Sequence, residues 1–275
     1  MSPLFNMDDF SKQKNNRITP RDFFGFKDGN HTAHTSRTMM LQEISRLFDL
    51  LPDTAGFSDY SRAVVEDNAL EKSTVKNRKL TIRHLKDEYG LSPEIPIFRH
   101  LRRLWSINTD ARPLLALLCA VGRDPLLRAS CDFILGLEVG TSIISSNIEE
   151  FIQTKFPDRF SANTLRSVSQ NIGSSWTQSG HLEGKVKKIR RRPVTTPENT
   201  VYALFLAWLE GYRDNRLLSS PWSRILDRDE HELLEMVAAA SRRGLVSFLR
   251  VDTVIEIRFD QWLSPAEKEW LHEQS

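Results

Sequence analysis

The chain has 275 residues, with 38 Lys+Arg against 36 Asp+Glu and a formal charge of +2. Its 40% hydrophobic and 27% charged content lies in the ordinary globular range, which excludes a wholly disordered or integral membrane protein, and the length allows one large domain or two modest ones. The longest apolar run, Pro113 to Val121 between Arg112 and Arg123, falls well short of the ~20 residues that cross a bilayer and reads as a buried helix.

Residues 1–37 mix Asn, Lys, Asp, Thr and Gly without helical or strand periodicity, and predict a flexible N-terminal arm. The start lacks a basic stretch followed by an apolar one, which predicts a cytoplasmic protein. Phe23, Phe24 and Phe26 stand out in the arm, because three aromatics in four residues are costly to leave in water; docking on the protein's own core is expected. Residues 38–155 predict a helical domain. Met39, Met40, Ile44, Leu47, Phe48, Leu50 and Leu51 recur at three- and four-residue spacing until Pro52. Helices follow in Tyr60–Leu70, from Thr74 to the Gly90 cap, in Ile97–Trp105, in Pro113–Val121 and in Pro125–Leu137, the last with Asp124 as N-cap. Cys119 and Cys131 sit in such helices without CxxC spacing and read as packed, reduced thiols.

Residues 156–275 predict a winged-helix-like region. Leu165, Val168, Ile172 and Trp176 mark an amphipathic helix over Ala162–Gln178, capped by Ser161 and ended by Ser179-Gly180, before an extended basic stretch reaching Pro193. An apolar helix is expected in Val201–Tyr212. The layout then recurs as a helix over Glu230–Arg243 and two strands, Leu245–Arg250 and Val254–Phe259, around Asp252-Thr253. The fold class expected is therefore mostly α, a helical bundle followed by a winged-helix-like part with a small β-hairpin.

Catalytic signatures are missing from the sequence. It has no glycine-rich phosphate loop, GxGxxG or GxSxG, and the seven histidines form no HExxH, so neither an enzyme, a cofactor nor a metal is expected. Only His31 and His34 lie near one another. Asp252, Glu256 and Arg258 loosely resemble a metal-nuclease pattern with Arg258 in place of Lys, but Arg stays protonated and an exposed Glu–Arg pair explains them better. The feature above background is Lys185, Lys187, Lys188, Arg190, Arg191 and Arg192, six cations in eight positions of a nearly neutral chain. Such a run suits duplex phosphates, and the helix before it offers Asn163, Arg166, Gln170 and Asn171 to phosphates or base edges. A possible second basic strip is Lys76, Arg78, Lys79 and Arg83, which a solvated helix face would equally produce.

Val64-Val-Glu-Asp-Asn-Ala-Leu-Glu-Lys-Ser-Thr-Val-Lys-Asn-Arg-Lys-Leu-Thr-Ile-Arg-His-Leu85, with the helix at Leu41–Leu47 before it, resembles the N-terminal region of the BrxA family of bacterial BREX phage-exclusion systems. Ser161-Ala-Asn-Thr-Leu-Arg-Ser-Val-Ser-Gln-Asn-Ile172, leading to Gly180-His-Leu182, resembles that family's C-terminal helix and turn. The resemblance runs from about residue 39 to 190 by pattern and order of elements. It implies a small helical, non-enzymatic DNA-binding component working beside other phage-defence proteins. The alternative is a protein–protein adaptor whose basic strip docks an acidic partner.

Overall fold

The computed structural model describes residues 19–29, 32–252 and 254–273, and its architecture is mostly helical with short antiparallel strands. Helix α1 (Pro20–Phe24) begins at a capping box, in which Thr19 Oγ1 accepts from the Asp22 N–H and Asp22 accepts from the Thr19 N–H. Gly25 ends it with φ 97°, and Phe24 and Phe26 enter the core. Phe23 stacks on Trp270 at 4.3 Å between ring centroids, and Phe26 packs on Trp222. The flexible arm expected over residues 1–37 is therefore corrected for residues 19–29 and 32–37, where the aromatics find a core; residues 1–18, 30 and 31 lie outside the described residues.

Helices α2 (Leu41–Leu50), α3 (Phe57–Val65), α4 (Val75–Tyr89), α5 (Pro96–Trp105) and α6 (Arg112–Arg123) follow; α2 ends before Pro52 and α4 at Gly90, whereas α3 ends at Val65, short of the Leu70 expected, where Asn68 and Glu71 turn the chain at positive φ. Helix α6 is apolar on all sides and is buried from Leu114 to Arg123. The other such helix, α11 (Pro197–Leu209), packs beside it.

Between these two lies a unit of helices α7 (Pro125–Ala129) and α8 (Cys131–Gly136), strand β1 (Ser142–Ile143), helices α9 (Ser145–Lys155) and α10 (Ala162–Gln178), and strands β2 (Leu182–Glu183) and β3 (Lys188–Arg190). The sheet is antiparallel in the order β1-β3-β2, with Ser142 and Glu183 on either side of Ile189. A first strand paired to the last of two further strands, with two helices between, is the winged-helix arrangement. The boundary expected at residue 156 falls inside this unit, because β1 and α9 before it pair with β3 and α10 after it. The single helix expected over Pro125–Leu137 is interrupted at Ser130, whose hydroxyl donates to Leu127 O at 2.6 Å and accepts from Trp176 Nε1 at 2.7 Å.

A related layout closes the chain. Helices α12 (Pro221–Ile225) and α13 (Glu230–Arg242) precede the hairpin of β4 (Ser247–Val251) and β5 (Val254–Arg258), whose register pairs Val251 with Val254 and Ser247 with Arg258. Helix α14 (Pro265–Glu273) brings Trp270 to Phe23 and Glu267 to Arg99, so the last helix covers the first.

Candidate nucleic-acid interface

Helix α10 starts where Ser161 Oγ accepts from the Thr164 N–H, and it buries Val168, Ile172 and Trp176. The 3.6-residue period then turns Asn163, Arg166, Ser167 and Gln170 outward together, and all four are exposed. Asn171 is not on that face. It is half-buried and its Nδ2 donates to His34 O at 3.0 Å, so it holds the N-terminal segment and is withdrawn as a DNA contact.

The turn between β2 and β3 forms the wing. Gly184 has φ 110°, and a Cβ there would run into the Lys187 carbonyl, so the tight turn requires glycine. Lys185 and Lys187 are exposed on either side of Val186, which is 83% exposed at the tip. Beyond the tip, the strand divides the basic run. Lys188 lies along Gly173 of α10, its Nζ donating to Thr177 Oγ1 at 2.8 Å and to Gly184 O at 3.2 Å, and partial burial lowers its pKa.

Arg190 is only 1% exposed. Its guanidinium donates to Ile134 O at 3.0 Å, to the carbonyls of His181 and Arg191, and to Asp227 Oδ2 at 2.9 Å. Both residues point inward because β3 packs one face on the unit and alternate side chains share a face. Arg190 is therefore corrected from a phosphate ligand to an internal tie, and Lys188 is largely committed to the fold. Arg191 is exposed but pairs with Glu183 at 2.7 Å, while Arg192 is exposed. Of the six cations, Lys185, Lys187 and Arg192 face solvent with no ion pair among the described residues.

The second strip divides in the same way. Lys76, Lys79 and Arg83 are exposed on α4, whereas Arg78 is half-buried and donates to Val65 O at 3.1 Å and to Lys72 O, closing the connection between α3 and α4.

Behind α10 runs the segment 32–41. His34 is fully buried, with Nδ1 2.9 Å from Asp124 Oδ2 and Nε2 2.8 Å from Ser175 Oγ on α10. The Met39 N–H also donates to Ser175 Oγ, and the Leu41 N–H to Gln178 Oε1. Asp124 caps α7 by accepting from the N–H groups of Leu126 and Leu127, and it accepts from Ala33 N and His34 N as well. Burial pulls the His34 pKa down, but the Asp124 and Glu88 carboxylates outweigh it and leave it raised. Burial likewise opposes ionisation of Asp124, and His34 with the surrounding donors holds its pKa below the usual range. Glu88 on α4 is pushed up to about 8, chiefly by burial. No spacing signal in the sequence joins these residues, which come from three separate elements.

His181, at the turn from α10 to β2, is also buried. Its Nε2–H donates to Ile225 O at 2.8 Å and Nδ1 lies 2.8 Å from Ser179 Oγ, with burial lowering its pKa to about 3. A base whose folded-state pKa is depressed stabilises the fold above its unfolded value near 6.5, and loses that contribution as pH falls toward the folded value. We therefore expect His181→Asn to flatten the acid side of the stability profile by about 1.4 kcal/mol per pH unit between roughly pH 6.5 and 4. Urea unfolding of wild type and variant at several pH values measures this, and parallel profiles would exclude it.

The closing unit has a different surface. Glu230 and Glu235 are exposed on α13, and the outward side of the hairpin carries Leu249, Val251 and Val254, each more than half exposed. Glu256 and Arg258 form an exposed ion pair at 3.1 Å on the same side. No helix among the described residues is long and apolar enough to cross a membrane. No family model matches the chain, and no curated protein matches it.

Proposed function

We propose that the chain is a non-enzymatic accessory protein that binds duplex DNA through its first winged unit, in the cytoplasm. Lys185 and Lys187 of the wing, nearby Arg192 and Arg166 on α10 contact phosphates, and Asn163 and Gln170 on α10 turn to the groove. The observation that carries this reading is a wing with unpaired exposed lysines following an amphipathic helix whose outward face is polar and free of acidic side chains. Phosphate contacts of this kind fix register and orientation, and an exposed helix face is what a major groove admits. The pattern resemblance to the BrxA family supports a place beside other phage-defence proteins. Fluorescence anisotropy with random-sequence duplex over a range of salt tests the proposal: log affinity falls linearly with log salt if the wing binds phosphates, and absence of binding at low salt ends the reading.

An adaptor role is favoured at a different place, the closing unit. The exposed Leu249, Val251 and Val254 suit a protein surface. The two roles occupy separate units, so a hairpin variant such as Val251→Ser with Val254→Ser separates them by losing a defence-protein partner while retaining DNA.

A further inference from the structure

His34, Glu88 and Asp124 converge from the 32–41 segment, from α4 and from the start of α7, and all three are buried. One ligand atom from each lies within 4.8 Å of the others. Glu88 is 1% exposed, and neither of its carboxylate oxygens has a hydrogen-bond partner. Buried carboxylates are rarely left so, because the lost hydration is not repaid. Lys27 and Arg123 line a cavity of about 10 Å³ beside Glu88 and attract its carboxylate through space, but neither hydrogen-bonds it. Arg123 donates to the carbonyls of Gly25, Lys86 and Asp87, and Lys27 pairs with Asp87 at 3.2 Å.

We propose that His34 Nδ1, Glu88 and Asp124 bind one divalent transition-metal ion of the zinc type, fastening the N-terminal segment to α4 and to the winged unit. His34 Nδ1 lies 2.9 Å from Asp124 Oδ2 and 3.6 Å from Glu88 Oε1. These two of the three separations bracket the edge of about 3.4 Å that a tetrahedron with metal–ligand bonds of about 2.1 Å requires, and the Asp124–Glu88 pair lies within 4.8 Å. The other ring nitrogen is held by Ser175 Oγ at 2.8 Å, the outer contact that orients a ligating imidazole. An imidazole with two carboxylates suits zinc and its neighbours, whereas calcium takes six to eight oxygens. The ion replaces the proton shared by His34 Nδ1 and Asp124 Oδ2, and it gives the Glu88 carboxylate a direct bond where it has only the 3.6 Å contact with His34. Asp124 Oδ1 continues to cap α7, and Oδ2 keeps its donors Thr32 Oγ1, Ala33 N–H and His34 N–H beside the ion. The site is independent of the DNA reading, since all three ligands are buried and none is among the residues assigned to DNA.

The test uses the full chain, stripped with chelator, dialysed and titrated with zinc chloride, and followed by metal analysis and melting temperature. One equivalent of zinc per chain and a raised melting temperature are expected. Glu88→Gln keeps the side-chain volume, and its helical circular dichroism reports that it folds; it should lose the thermal shift and weaken zinc at least about tenfold. Failure of the wild-type chain to retain zinc overturns the site, and a neutral Glu88 beside a trapped water then explains the cluster. Equal retention by Glu88→Gln also overturns it, as does loss in His231→Ala, which would place the ion on the exposed His231–Glu235 pair.

Discussion

Replacing Lys185, Lys187, Arg192 and Arg166 together by Gln should leave the fold intact and reduce duplex affinity on the order of 10³-fold at about 0.1 M salt, with the salt slope falling by about 3 to 4. Each of the four is exposed and makes no ion pair among the described residues, so its loss leaves no buried group unpaired. Every phosphate neutralised releases about 0.9 of a condensed counterion, and four such contacts set both numbers. The fall should be similar for unrelated sequences, because phosphates carry no base information. Anisotropy titrations at four salt concentrations measure slope and affinity together. An unchanged slope with unchanged melting temperature would remove the wing from the interface.

Arg190→Met should produce the opposite pattern, a loss of stability of about 3 kcal/mol as its first effect. The guanidinium satisfies the carbonyls of Ile134, His181 and Arg191 and pairs with Asp227, so truncation strands buried acceptors at the joint between α8, the end of α10 and the loop before α13. Asp227 is partly exposed and can rehydrate, which keeps the cost at the lower end for a broken buried pair. Urea unfolding gives the value. A neutralisation set that includes Arg190 would therefore mix unfolding with lost binding, and the surface quartet avoids that. Stability within about 0.5 kcal/mol of wild type would show that the tie is dispensable.

The sequence alone determined most of the helices and the charge. Ser161, the Leu165–Val168–Ile172–Trp176 stripe and Gly180 bound α10 at residues 162 and 178, because cap, period and stop are local properties. The closing hairpin was legible for the same reason, since strand alternation around Asp252 needs only neighbouring residues. Strand β1 has two residues and owes its existence to β3, nearly fifty positions later, so no local pattern announces it. The docking of Phe24 and Phe26 was legible as three clustered aromatics, but helix α9 and the surface on which the aromatics dock depended on elements assembled elsewhere.

Six cations in eight positions look alike in a sequence, but a strand packed on one face assigns alternate residues to the inside. Tertiary structure thus decided that Arg190 is a tie, that Lys188 lies against Gly173, and that Lys185, Lys187 and Arg192 are left for a polyanion. It also brought together His34, Glu88 and Asp124, which are 54 and 36 positions apart in turn, since long-range convergence is fixed by packing and leaves no spacing to read.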